Sequence, residues 1–342
     1  MIGCYNPLKG FQIGLTENGK PKYKICSYGT DHVEQRKNGS WIAVSEYNRS
    51  GYAEHVVRDF IEIPCGKCVG CRLDYSRHWA DRCMLEAKYH EHNYFVTLTY
   101  DDMHVPHSSY IDERTGEICE SLTLVKSDLQ KFFKRLRKHK GELRYYACGE
   151  YGGHTMRPHY HAIIFGLELD DLVKYKQSDN YIYYNSESLQ KIWNKGFVVV
   201  TELTWATCAY VARYVVKKAK KAVADSYKTF NVEKEFNVMS RRPGIANQYF
   251  QDHDMYAYDY INISTPDGGK KIKPARYFDR LLEQKDPDTF ANLKEKRLET
   301  AKNQSLLKLS HTDNSYIDML ATEESVKSNK IKALNRNRVD LV

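Results

Sequence analysis

Arg157-Pro158-His159-Tyr160-His161-Ala162-Ile163-Ile164-Phe165-Gly166 is the stretch on which the fold turns. Two histidines flank one bulky residue at the head of an apolar, β-branched run, the composition of a strand. Alternate side chains of a strand share a face, so His159 and His161 point the same way. Working outward, Leu143 to Cys148 is a second strand-like run, and Glu150 lies just beyond its end. The loop from Tyr151 to Pro158 then returns the chain to His159, and the two runs pair as a hairpin. That pairing brings Glu150 beside the imidazoles and makes a two-histidine, one-carboxylate metal site.

A second segment carries the complementary chemistry. Tyr210-Val211-Ala212-Arg213-Tyr214-Val215-Val216-Lys217-Lys218-Ala219-Lys220-Lys221 has the period of an amphipathic helix. Tyr210, Arg213, Tyr214, Lys217, Lys218, Lys220 and Lys221 fall on one side. Val211, Ala212, Val215, Val216, Ala219, Ala222 and Val223 fall on the other. Tyr210 and Tyr214 are one turn apart and neighbours on the helix surface. A phenol titrates near 10 and is a weak nucleophile unless cations favour its phenolate or a metal polarises the electrophile. Phenols, cations and a metal together suit attack on a phosphodiester.

Taken together these residues resemble the HUH endonucleases that initiate rolling-circle replication. The first family motif resembles Phe95-Val96-Thr97-Leu98-Thr99-Tyr100, and the second His159-Tyr160-His161 with Glu150 upstream. The third, a tyrosine followed three residues on by lysine, matches Tyr214 and Lys217, with Tyr210 as the extra tyrosine of the two-tyrosine branch. Cys4-Tyr5-Asn6-Pro7-Leu8-Lys9, Pro64-Cys65-Gly66-Lys67-Cys68-Val69-Gly70-Cys71-Arg72 and Met239-Ser240-Arg241-Arg242-Pro243-Gly244 resemble the initiators of microviruses, in particular the gokushovirus branch. The resemblance implies Mg²⁺ or Mn²⁺ on Glu150, His159 and His161, although imidazoles alone would equally suit zinc. It implies Tyr214 or Tyr210 as the nucleophile on single-stranded DNA at a replication origin, and Lys217 as the group steadying the phenolate or phosphate. Arg213, Lys218, Arg241 and Arg242 are expected to contact DNA. Thr97 and Thr99 are expected only to build the strand beside the site.

Composition agrees with an anionic partner. The chain has 342 residues and a formal net charge of +8, with an isoelectric point near 8.8. Exposed members of its 27 tyrosines could stack on unpaired bases. No run of about 18 apolar residues exists, which argues against a membrane span. The Met1-Ile2-Gly3-Cys4 start has no signal-peptide core, so the expected location is the cytoplasm of a bacterial host. No phosphate-binding loop of an NTPase is present. Gly268-Gly269-Lys270-Lys271 reads as a hairpin turn, so unwinding and synthesis fall to a host helicase and DNA polymerase.

Nine cysteines in a reducing compartment argue for metal or free thiols over disulfides. Cys65, Cys68 and Cys71 stand at two successive Cys-x-x-Cys spacings. Cys4 is the leading choice for a fourth thiolate of a structural zinc site, with Cys26, Cys83 or a histidine as alternatives.

The expected fold class is α+β: an HUH-type ferredoxin-like sandwich, its central antiparallel sheet packed with helices on one face. A cysteine-rich N-terminal elaboration (1–90) precedes the endonuclease domain (91–274), and a charged helical tail (275–342), solvated and partly mobile, follows. Helices are expected at 72–90, from a cap at Ser127 or Asp128, at Glu187–Trp193 and from a cap at Thr204. A transposase or plasmid relaxase with two tyrosines, or a non-catalytic zinc-stabilised nucleic-acid binder, would also fit this pattern.

Overall fold

The computed structural model describes residues 3–46, 53–153, 155–178, 181–214, 221–265 and 268–333. They fall into two compact units. One comprises the described residues up to Asp74 and those from Arg297 onward, and the other comprises Tyr75–Lys296.

The first unit holds β1 (Leu8–Leu15), β2 (Pro21–Cys26), β3 (His32–Gln35), β4 (Trp41–Val44), β5 (His55–Val57) and β6 (Phe60–Ile63), in two sheets ordered β2-β1-β6 and β4-β3-β5. The Lys37–Ser40 turn closes the β3–β4 hairpin as its Asn-Gly pair predicts. Helix α1 (Val69–Ala87) begins in this unit and continues into the next.

In the second unit follow β7 (Asn93–Thr99), the hairpin β8 (His107–Ile111) and β9 (Ile118–Leu122), α2 (Lys126–Lys140), β10 (Arg144–Tyr151) and β11 (Pro158–Phe165). Next come β12 (Leu172–Ser178), β13 (Tyr181–Ser186), α3 (Glu187–Trp193), β14 (Val198–Glu202), α4 (Trp205–Tyr214), α5 (Lys221–Thr229) and β15 (Phe236–Met239). Then α6 (Asn247–Asp252), β16 (Ile261–Thr265), β17 (Gly268–Ile272) and α7 (Arg276–Lys285) lead into α8 (Pro287–Leu309), and α9 (Tyr316–Ala333) belongs to the first unit.

The centre of the second unit is a seven-stranded sheet of order β12-β13-β14-β7-β11-β10-β15, antiparallel throughout. The chain is α+β as expected, but helices cover both faces of this sheet. On one face Val96, Leu98, Tyr160, Ala162 and Ile164 pack with Leu129, Phe132, Phe133 and Leu136 of α2 and with Leu189, Ile192 and Trp193 of α3. On the other, Phe95, Tyr146, Cys148, Ile163 and Phe165 pack with Ala80 and Cys83 of α1 and with Cys208, Ala209, Val211 and Ala212 of α4. The reason lies in the strands themselves. β10 and β11 are buried along most of their length and β7 through its centre, Phe95–Leu98, and a strand buried on both faces needs two covers.

Several local features differ from expectation. Helix α2 starts at Lys126, with Val125 at its N-cap and no side-chain cap. Asp128 is already inside the helix, where it accepts a hydrogen bond from the Tyr100 hydroxyl at 3.0 Å. Thr204 does cap α4, its Oγ1 accepting from the Thr207 amide at 3.2 Å. Gly268 to Lys271 lie in β17 instead of a turn. Among the described residues the C-terminal segment is helical as far as Ala333, but it is not a free tail. Phe278 and Leu282 of α7 are buried with Tyr249, Phe250, Ile261 and Ile272. Met319 and Leu320 of α9 are buried with Tyr5 and Cys68. Helix α8, by contrast, has no buried residue.

Candidate active site

Antiparallel register fixes the geometry. Glu150 on β10 stands opposite His159 on β11, and Cys148 opposite His161. On its other side β11 pairs with β7, setting Thr97 opposite His161 and Thr99 opposite His159. Both histidines therefore lie on the sheet face covered by α1 and α4. Glu150 and His161 are buried, at 1% and 2% exposure, and His159 is partly open.

One carboxylate oxygen is the focus. Glu150 Oε1 lies 3.0 Å from His159 Nε2, 2.6 Å from His161 Nε2 and 3.3 Å from the Tyr210 hydroxyl, which donates to it. The Tyr210 ring meets His161 edge-on at 5.1 Å and Phe95 at 6.2 Å. The α4 segment of the predicted tyrosine helix thus delivers one of its two phenols to the histidine–carboxylate group. Tyr214 ends the described part of α4 four residues on. Its side chain and that of Arg213, together with Lys217 and Lys218, lie outside the described residues.

The second contacts of the imidazoles decide whether a cation fits. His159 Nδ1 is 3.1 Å from the Arg157 carbonyl, which can only accept, so Nδ1 carries a proton. In the neutral ring Nε2 then presents a lone pair toward Glu150, and two lone pairs at that distance repel unless a proton or metal lies between them. His161 Nδ1 pairs with Thr97 Oγ1 at 2.9 Å. Its Nε2 faces Glu150 Oε1 at 2.6 Å but outside hydrogen-bond geometry, and Glu150 Oε2 has no hydrogen-bond partner among the described residues. Buried lone pairs on two nitrogens and a carboxylate, with the far ring nitrogens held by a carbonyl and a hydroxyl, are the donor set of a divalent ion. The ligand atoms of Glu150, His159 and His161 lie within 4.8 Å of one another, and the group can hold a metal.

Charge distribution follows from the same contacts. Burial alone would raise the Glu150 carboxyl, but the charge of His161 and the hydrogen bond and charge of His159 outweigh it and hold the group at about 2. Burial opposes a charge on His159 as well, yet its bond to Glu150 raises it above the ordinary range. His161 is lowered, because its deeper burial prevails over the same carboxylate.

Thr97 therefore does more than build a strand: it orients His161. The alternation that placed the histidines on one face places Thr97 there too, once β7 is known to pair with β11. Arg157, unmarked in the sequence, fixes His159 through its carbonyl, while its guanidinium bonds the Tyr100 carbonyl at 2.9 Å and Asp102 at 2.8 Å. Asp101 caps a turn, accepting from the His104 amide at 2.9 Å. Arg241 and Arg242 are exposed in the segment after β15, and no contact among the described residues joins them to the histidine–carboxylate group.

A second ligand set lies in the other unit. The sulfurs of Cys4, Cys65, Cys68 and Cys71 lie within 4.8 Å of one another, making Cys4 the fourth member. Cys26 and Cys83 are instead buried in separate apolar clusters. None of the nine cysteines is in a disulfide. Burial pushes Cys4 up to about 11 and raises Cys71, while at Cys65 the amides of Lys67 and Cys68 outweigh burial and lower the thiol.

Replication-associated protein ORF2 of Spiroplasma virus 4 is 37% identical to this chain over 316 residues, covering 89% of the chain and 95% of that protein. The chain belongs to this replication-associated protein family. The model of the family named for replication-associated protein ORF2 matches residues 93–219, a span that begins at β7 and contains Glu150, both histidines and Tyr210. Replication-associated protein VP4 of Bdellovibrio phage phiMH2K is 28% identical over 257 residues, covering 71% of the chain and 76% of that protein. Replication-associated protein ORF4 of Chlamydia phage 1 is 32% identical over 198 residues, 54% of the chain and 45% of that protein. No solved structure matches this chain. Among its described residues no helix is long and apolar enough to cross a membrane.

Proposed function

We propose that this chain initiates rolling-circle replication by nicking single-stranded DNA at an origin, with residues 91–274 as an HUH-type nicking domain. The observation that carries the reading is the Tyr210 hydroxyl beside the Glu150 oxygen on which both histidines converge. Family membership supports a replication role, and the geometry supports phosphoryl transfer. Mg²⁺ or Mn²⁺ held by Glu150, His159 and His161 would polarise a non-bridging oxygen of the scissile phosphate and offset charge as it develops.

The protein's own groups do the remainder. Thr97 and the Arg157 carbonyl hold the imidazoles in register, and the buried wall of Phe95 and Cys148 keeps that side of the group dry. The phenolic oxygen of Tyr210 or Tyr214 forms a bond to phosphorus as the bond from phosphorus to the 3′ oxygen breaks. The phenol gives up one proton and the departing 3′ oxygen gains one. The products are a 5′-phosphotyrosine link and a free 3′-hydroxyl to prime synthesis. One phosphoester replaces another, so the 3′-hydroxyl of a later strand can reverse the step and close a circle. Two phenols one helical turn apart allow alternating cleavages. Lys217 would steady the phenolate, and Arg213, Lys218, Arg241 and Arg242 the DNA backbone. Four thiolates suit zinc as a structural ion. A host helicase and polymerase would complete the reaction in the bacterial cytoplasm.

The test is a denaturing gel of full-length protein with single-stranded origin DNA and Mn²⁺, comparing wild type, Tyr210→Phe, Tyr214→Phe, the double variant and His159→Ala. A metal-dependent covalent adduct, lost in the double variant and in His159→Ala, is the expected result. Tight DNA binding that survives loss of both phenols, without adduct on any origin, would replace this reading with that of a non-catalytic binder.

A further inference from the structure

We propose that the tetrathiolate site of Cys4, Cys65, Cys68 and Cys71 is a clasp: its zinc-class ion holds the C-terminal helix α9 against the N-terminal segment. The sulfur geometry points to a single ion. Cys4 and Cys68 sulfurs are 3.9 Å apart. A disulfide would bring them to about 2.05 Å. Four sulfurs around one zinc at about 2.3 Å are separated by about 3.8 Å, which the Cys4–Cys68 pair matches, and all four sulfurs lie within 4.8 Å of one another.

Backbone amides already serve these sulfurs. Cys4 Sγ accepts from the Cys65 amide at 3.2 Å, and Cys65 Sγ from Lys67 and Cys68 at 3.4 and 3.3 Å. Cys68 Sγ accepts from Tyr5 and Cys71 at 3.3 and 3.4 Å. Such bonds spread thiolate charge and fix the loop in the form that binds metal.

The cluster lies directly against α9. Tyr5, next to Cys4, and Cys68 are buried with Met319 and Leu320 of α9, and Leu309 and Tyr316 pack around them. Glu324 of α9 reaches back to the start of α1, accepting from the Val69 amide at 3.1 Å and from Asn6 Nδ2 at 2.7 Å. A carboxylate there caps the helix that carries Cys71. At Gly70 a Cβ would lie 2.1 Å from the Gly3 carbonyl, so the N-terminal backbone runs directly over the first turn of α1. Three stretches far apart in sequence thus meet around a small apolar patch. Met319 and Leu320 are the buried apolar residues of α9 among those described, and α8 contributes none. Ordering an 18-residue helix on so small a patch needs another source of free energy, and a metal that binds only the assembled ligands supplies it.

The experiment uses the full chain and is independent of nicking. Metal content is measured for wild type, Cys68→Ser and His161→Ala, and amide exchange is followed with and without a zinc chelator. The expected result is about one zinc per chain, kept in His161→Ala and lost in Cys68→Ser. Metal removal from wild type should speed exchange across Tyr316–Ala333 by about tenfold or more, with helix α2, which carries none of the candidate metal ligands, as an unchanged internal reference. Chelation of wild type carries the test if Cys68→Ser fails to fold. Absence of zinc, iron in its place, or zinc whose removal leaves α9 exchange unchanged would each overturn the proposal.

Discussion

Glu150 Oε1 receives two imidazoles and a phenol, and each imidazole is aimed by a residue outside the ligand set. Thr97 is the clearest of these, because its hydroxyl is the partner of His161 Nδ1. Thr97→Val keeps the shape and removes that partner. The metal affinity of the Glu150 group should fall about 10–100-fold, as measured by Mn²⁺ titration, with the thermal transition nearly unmoved. Unchanged affinity would mean that packing against Phe95 alone orients the ring, since the two stack at 5.2 Å. The candidate ligands were legible in the sequence through a two-residue period and one short loop. The role of Thr97 is not legible there, because it depends on which strand lies beside β11, and no local pattern specifies a non-adjacent neighbour. Tyr210 was legible as a polar-face phenol. The fact that it reaches Glu150 required the sheet position of α4.

Elements obey the same division between local and non-local. Helix α3 is legible in the sequence because its cap, Ser186, and its apolar face, Leu189, Ile192 and Trp193, lie within a few residues. The second cover of the sheet is not legible in the sequence, because α1 and α4 reach it from opposite sides in chain order. Their joint face, Ala80 and Cys83 against Cys208 and Ala212, exists only after folding. The junction of β14 with β7 is also non-local, and it rests on one glycine. Gly196 has φ +146°, and a Cβ there would lie 2.4 Å from both the Asp101 amide nitrogen and the Thr99 carbonyl oxygen. Those backbone atoms cannot swing aside as a side chain can. The Thr99 carbonyl also accepts from the Phe197 amide at 3.1 Å and from the Trp193 indole at 2.8 Å. Gly196→Ala should therefore destabilise the chain by about 2–4 kcal/mol in urea unfolding, within the range of the larger single-residue effects. A loss below about 0.5 kcal/mol, the level of an ordinary surface change, would show that the β14–β7 join is more compliant than its hydrogen bonds suggest.

For the molecule as a whole, net charge pointed to an anionic partner class but carried no information about which charges hold the fold. Glu86 is the instructive case. It is an α1 residue in a charge-rich segment and looks like surface, yet it is 4% exposed. It pairs with Arg144 on β10, accepts from the Ala246 amide and lies 3.3 Å from His90 Nε2, joining segments that only the finished fold brings together. Burial would raise its carboxyl, but the bonds from His90 and Ala246 and the charge of Arg144 prevail and lower it. The sign of the pH dependence follows. A carboxyl lowered in the folded state stabilises the fold fully above its unfolded value of about 4.3, and that contribution disappears as pH falls through the lower folded value. Glu86→Gln leaves the Arg144 guanidinium with a neutral partner in a mostly buried site. At pH 7 the variant should lose about 3–5 kcal/mol, the cost of breaking a buried ion pair from one side. The gap from wild type should narrow as pH drops below about 4.3, where wild type gives up the same interaction. Urea midpoints from about pH 7 to about pH 3 span that window and measure both curves. A gap constant over that range would assign the effect of Glu86 to shape and hydrogen bonding, with no share for its charge.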